Sequence, residues 1–179
     1  MIDRIIEDIN KALDNNAYLA ALTLALTIPD ICGKAKYPKK GTKARYTGWY
    51  NNYIGKYEQS PFNDSKRDSG SYLSGKVVYS LRNSMLHEGS PNVDSKIIDK
   101  FVLVIEKKKP MEMYADAAGV TTTNYNDEDV RHYRLNVRRF CQIICTNAKV
   151  YYFENEELFS FFNYSIKDWD AEVEKLHKR

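Results

Sequence analysis

Residues 82–87 read Arg82-Asn83-Ser84-Met85-Leu86-His87 and gather three side chains able to do chemistry. Imidazole has the unperturbed pKa nearest neutrality, so His87 is a candidate to take or give a proton at physiological pH. Guanidinium offers a planar fork of donors that fits phosphate or carboxylate oxygens and stays charged. Arg82 is therefore a candidate to hold an oxyanion and offset charge that builds on it. Asn83 lies four residues before His87, on the same side of a helix, where its amide can orient the imidazole or the anion. The structural alternative is an ordinary helix-end histidine facing the last carbonyls, a surface arginine and a solvated amide.

These side chains need an element to position them. A helix is predicted from about Ser71 to His87, stopped by Gly89 as a C-terminal cap and by Pro91 soon after. On an ideal wheel with Arg82 at zero, Leu86 falls near about 40°, Tyr79 about 60°, Asn83 about 100° and His87 about 140°. Val77, Val78, Leu81 and Met85 take the opposite, aliphatic side. The polar trio thus shares its face with Tyr79 and Leu86. A face that mixes apolar anchors with polar groups suggests a contact surface. The most economical partner is a second copy, since most soluble oligomers are twofold homodimers.

The rest of the chain reads as a helical bundle. Ile2, Ile5, Ile6, Ile9 and Leu13 recur at helical spacing. Asp14, Asn15 and Asn16 break that helix and offer an N-cap for the next. The second helix is rich in Ala and Leu and is expected to reach about Ile28, where Pro29 bends or ends it, with Gly33 just beyond. Residues 34–43 read as a polar, basic loop. Tyr46, Trp49, Tyr50, Tyr53 and Tyr57 mark a third helix with an aromatic core stripe. Residues 60–70 form a loop before the Arg82 helix. Residues 101–105, short and β-branched, predict a strand; residues 111–129 are a strand or loop excursion. A long helix follows over about 136–153, with Val137, Phe140, Cys141, Ile144 and Cys145 on its apolar side, and a last helical stretch lies within 165–176. The expected fold is mainly α, one domain over residues 1–179, with a small β excursion at about 100–130.

Composition narrows the class. The chain has 179 residues, ample for one unstapled core. A formal net charge of +3 is too small to argue for nucleic acid by itself. Cys32, Cys141 and Cys145 are odd in number and do not form a disulfide framework, which favours a reducing, cytoplasmic setting. Acids at Asp3, Glu7 and Asp8 interrupt any signal-peptide core, and the greasy run at 18–28 is too short to span a bilayer, so no membrane partner is expected. Cys141 and Cys145 share a helix face, but two ligands do not make a structural zinc site; buried thiols are expected and no metal or cofactor is assigned. His132 in a polar loop and His177 near the C-terminus read as structural or solvated. Basic clusters at Lys34, Lys36, Lys39, Lys40, Lys43 and Arg45, at Arg131, Arg134, Arg138 and Arg139, and at Lys107, Lys108 and Lys109 are solvated faces or guides for a phosphate backbone. Lys36, Lys39, Lys40 and Lys43 are the best placed, since their loop connects helices inside the bundle.

Residues 82–87 also resemble the R-polar-x-x-x-H motif of HEPN domains in its R-N-x-x-x-H form, at the C-terminal part of a long helix, where that family carries it. Residues 21–35 (ALTLALTIPDICGKA) and 80–90 (SLRNSMLHEGS) are similar to a group of small bacterial HEPN-like proteins of unassigned role. The resemblance implies a helical bundle of the HEPN type. It implies a metal-independent endoribonuclease that works as a homodimer and cuts single-stranded RNA by attack of a 2′-hydroxyl on the adjacent phosphate. Arg82, Asn83 and His87 would be its catalytic residues. Tyr79 and Leu86 would lie on the RNA or dimer face, Tyr79 stacking on a base or packing at the contact. Such domains serve in toxin–antitoxin and phage-defence systems, so an antitoxin protein is a further expected partner. The alternatives are a HEPN-like module that binds RNA, nucleotides or proteins without cutting, and a nucleotide sensor.

Overall fold

The structure, a computed structural model, describes residues 1–58, 73–93, 98, 100–106, 117–122, 129–162 and 167–177. For 117–122, 129–131 and 171 it describes the backbone alone. The protein is mainly helical with a small β insertion, as the hydrophobic periodicity predicts.

Helix α1 (Ile2–Asp14) buries Ile2, Ile6, Ile9 and Leu13. The break after it departs from expectation in its capping. Asn15 turns back and donates its side-chain amide to the Lys11 carbonyl at 2.8 Å, and Asn16 adopts φ +59°. The N-cap of α2 (Tyr18–Ala25) is Ala17, which makes no side-chain cap bond. Asn16 instead accepts from the Tyr18 hydroxyl at 2.9 Å.

Pro29 begins a helix where the sequence reading had it bend or end one. Helix α3 (Ile28–Lys36) carries it in its first turn, where a missing N–H costs nothing and a fixed φ suits the helix. The expected 34–43 loop is correspondingly shorter: Gly33, Lys34 and Lys36 are helical, and α4 (Thr42–Tyr53) has already begun at Lys43. Residues Tyr18–Lys36 together are long and apolar enough to cross a membrane by length and composition, which extends the 18–28 run. A buried core helix passes the same test, and 56% of that window is buried in the bundle.

Helix α4 buries Tyr46, Trp49 and Tyr50. Tyr57 leaves the stripe. The chain tightens into a 3-10 turn at Gly55–Tyr57, and Tyr57 is 71% exposed. Helix α5 (Gly75–Asn83) follows, capped by Ser74, whose hydroxyl accepts from the Val77 N–H. The expected loop at 60–70 lies outside the described residues, and the helix starts at Gly75, later than the expected start at about Ser71, because the Ser74 cap fixes its first turn.

Strands β1 (Lys100–Val104), β2 (Ala117–Thr122) and β3 (Asp129–Asn136) form a sheet in the order β1-β3-β2. β1 runs parallel to β3, with Phe101 opposite Tyr133 and Leu103 opposite Leu135; β2 is antiparallel to β3. His132 therefore lies in a strand, half-buried, where a polar loop was expected. Residues 107–116, with the 107–109 lysines, and 123–128 fall outside the described residues.

β3 passes directly into α6 (Val137–Glu154). The buried Asn136 makes this junction: its Oδ1 accepts from the Arg139 N–H at 3.1 Å and its Nδ2 donates to Glu106 at 2.8 Å. Cys141 and Cys145 are buried free thiols on the apolar side of α6. Helices α1 and α2 pack on α6, α3 packs on both α6 and α4, and α4 packs on α5. Helix α7 (Trp169–His177) closes the described chain.

Candidate functional site

The site is built outward from α4. Gly75 donates its N–H to Asn51 Oδ1 at 2.6 Å, and a Cβ there would meet the Thr47 carbonyl oxygen at 2.8 Å. This close approach brings α5 onto the Thr47–Asn51 flank of α4. Four residues on, the Tyr79 ring meets Tyr46 edge-on, with centroids 5.2 Å apart. The contacts move back along α4 as α5 advances, so the two helices run antiparallel. The C-terminal end of α5 lies toward the start of α4.

Val77, Val78 and Leu81 are buried, and Met85 packs partly against the core. The opposite face carries Tyr79, Arg82 and Asn83, all half-buried, then Leu86 and His87, both exposed. Burial pushes the Tyr46 phenol far up and the Arg82 charge opposes that shift, which puts the guanidinium within electrostatic reach of the ring. Tyr46 is fixed from behind by donating to the Leu26 carbonyl at 3.1 Å.

After Asn83 the helix widens. Residues Ser84–Glu88 form a π turn, closed by the Gly89 N–H donating to the Ser84 carbonyl. The Ser90 N–H donates to the same oxygen at 3.2 Å. In an ideal α-helix, residues five apart diverge by about 140°. Hydrogen bonds from i to i+5 give a wider turn, in which residues five apart come to one side. The Arg82 Nη1 accordingly stands 3.4 Å from His87 Nε2. The same Nη1 donates to Asn83 Oδ1 at 2.9 Å. Guanidinium only donates, so the contact is a long hydrogen bond when Nε2 presents its lone pair. The trio is one hydrogen-bonded cluster at a helix end, with a proton-transfer group and a permanent cation side by side. The Arg82 Nε is buried and has no partner among the described residues.

The four lysines of the expected RNA face are not all near this cluster. Tyr37 packs on Gly48 and accepts from Asn52 at 2.7 Å, on the side of α4 about 100° round from the Thr47–Asn51 flank. Lys40 lies 4.3 Å over that Tyr37 ring, and Lys36 lies 5.6 Å over Tyr53; Tyr53 holds the Lys36 pKa above its usual range. Lys40 thus sits on the Gly48–Asn52 side of α4, and Lys36 at the C-terminal end of α4, where Tyr53 lies seven residues beyond Tyr46. Lys39 is exposed in the connecting loop. Lys43 sits one turn before Thr47 on the flank that α5 occupies, toward the Arg82 end.

Two features here go beyond what the sequence displays. The Asp30 carboxylate takes both Arg45 Nε at 2.7 Å and Nη2 at 3.3 Å, and its charge reaches Tyr46. Only a basic loop was legible there, since the pairing depends on the α3–α4 crossing. The π turn had no signal at all: Gly89 announced a cap without announcing the width of the turn before it. Among the described residues no group of three His, Cys, Asp or Glu side chains is placed to hold a metal ion. Comparison of the chain with protein-family models, with curated proteins and with solved structures finds no match.

Proposed function

We propose that the chain is a metal-independent endoribonuclease of the HEPN type that cuts single-stranded RNA in a cleft shared by a homodimer. The observation that carries this reading is the 3.4 Å approach of Arg82 Nη1 to His87 Nε2. In the reaction the ribose 2′-oxygen attacks the adjacent phosphorus. The P–O2′ bond forms and the P–O5′ bond breaks, leaving a 2′,3′-cyclic phosphate and a 5′-hydroxyl. One proton leaves the 2′-hydroxyl and one reaches O5′, so the step needs a base and an acid. One chain offers one motif histidine; a twofold pair offers two, one for each transfer. Arg82 exchanges its long contact with His87 for the phosphate oxygens, where its charge offsets the negative charge of the transition state. Asn83 holds the guanidinium in place. Leu86, exposed beside the cluster, and Tyr79 are the apolar anchors of the pairing. A nuclease of this kind in a cell calls for restraint, and an antitoxin protein in a toxin or defence system is the partner that supplies it.

The test is a DNA oligonucleotide carrying one ribonucleotide, incubated with the protein in excess chelator. Cleavage only after the ribonucleotide, with a cyclic phosphate end, supports the reading. Cutting of the all-DNA control, or a 3′-hydroxyl product, refutes 2′-oxygen attack. Binding without cutting, across several RNAs, transfers the cluster to a non-catalytic HEPN-like module.

A further inference from the structure

We infer that Gly89 is a positioning residue for the Arg82/His87 pair; the inference rests on the nuclease reading for its kinetic consequence and on geometry alone for its structural one. Gly89 adopts φ +65°, ψ +16°, a left-handed conformation that costs an L side chain and costs glycine nothing. In that conformation its own N–H and the next one, that of Ser90, both point back to the Ser84 carbonyl. These two bonds close the wide turn. Ordinary helix termination sets the glycine N–H on a carbonyl three or four residues back and the following N–H on one five back; here the acceptor is five residues back from Gly89 and six from Ser90. The extra residue within the loop swings His87 beneath Arg82. A narrower, purely α-helical end would leave the two side chains on diverging faces. Gly89 therefore sets the distance between a proton-transfer group and a cation that it does not touch.

The position isolates this effect. A Cβ built on Gly89 meets nothing within 4 Å, so Gly89→Ala introduces no clash and acts only through the backbone. Asparagine tolerates the left-handed region far better than alanine does, so Gly89→Asn is the conservative rescue. The experiment measures RNA cleavage kinetics and the imidazole nitrogen resonances of His87 for the parent, Gly89→Ala and Gly89→Asn, each in its native oligomeric state.

The expected result is a kcat lowered about five- to thirtyfold in Gly89→Ala with KM unchanged, from the backbone preference alone. The His87 resonances should move with it, and Gly89→Asn should stay within about twofold of the parent. Two results overturn the inference: Gly89→Ala matching the parent in both readouts, or Gly89→Asn falling as far as Gly89→Ala. If the parent cuts no RNA, the nuclease reading fails separately. The His87 resonances then decide the positioning role alone: a shift in Gly89→Ala restored in Gly89→Asn supports it, and no shift refutes it.

Discussion

Arg82 Nη1 stands 3.4 Å from His87 Nε2, five residues further along one helix end. An α-helix does not bring residues five apart together; a π turn does, and single π turns recur at functional sites. The same Nη1 is held by Asn83 Oδ1 at 2.9 Å. A permanent cation is thus held between an amide and an imidazole, partly buried and open on one side.

Asn83 should matter through Arg82. Asn83→Ala removes the acceptor that fixes the guanidinium and is expected to lower kcat/KM by about tenfold, the worth of one hydrogen bond to a charged group. Asn83→Asp is expected to be worse, because a carboxylate pairs with Arg82 and repels the phosphate. Steady-state cleavage kinetics, beside circular dichroism to show intact folding, check both. Asn83→Asp equal to the parent would exclude a phosphate from this spot.

The lysines should separate by flank. Lys43→Ala is expected to weaken binding of single-stranded RNA and to reduce the salt dependence, log K against log [salt], by about 0.7. Lys36→Ala and Lys40→Ala, whose side chains lie over Tyr53 at the C-terminal end of α4 and over Tyr37, should leave that slope unchanged. Salt titrations of fluorescence anisotropy distinguish the three.

The α4–α5 contact leaves no room for a methyl group at Gly75. Gly75→Ala would place Cβ 2.8 Å from the Thr47 carbonyl oxygen and 2.9 Å from Thr47 Cα. The helices must separate, at a cost of about 1–3 kcal/mol in urea unfolding. Tyr79 should also lose its contact with Tyr46. A Gly75→Ala variant as stable as the parent would contradict the packing.

Burial raises the pKa of all three cysteine thiols: Cys32 and Cys141 far up, and Cys145 up to about 12. The folded state then holds these protons more tightly than the unfolded chain, whose thiols ionise at about 8.5. The resulting stabilisation is complete below about pH 8.5 and is lost as the pH rises toward the folded values. The urea midpoint should fall steadily on the alkaline side, and thiol reagents should modify the protein only once it is unfolded. Rapid labelling of the native protein at neutral pH would show that the thiols are accessible.

Much of the fold was legible because it follows periodicity. Ile2, Ile6, Ile9 and Leu13 specify α1, and Tyr46, Trp49 and Tyr50 specify the buried face of α4. Pro29 was harder, since proline at a helix start and proline at a helix end look alike until the preceding turn is known. Tyr57 extended an aromatic spacing past the residue at which the chain changes helix type. In the site, residue types and face were legible, while the approach of Arg82 to His87 was not. Over a single turn, the spacing of Leu81, Met85 and Leu86 suits α and π geometry equally.

A cleft shared between two copies, as proposed, has a sharp kinetic consequence. A heterodimer of parent and His87→Ala chains has one imidazole for two proton transfers. Its activity should be close to that of the His87→Ala homodimer and far below half that of the parent. Full activity per remaining histidine would show that one chain suffices.

The most direct measurement is cleavage of an end-labelled single-stranded RNA in excess chelator by the parent, His87→Ala and Arg82→Ala. The parent should give a cyclic phosphate product, and both variants should lose at least about a hundredfold, as expected when an acid–base group or the charge-stabilising partner is removed. Variants that fold, dimerise and cut like the parent would contradict it.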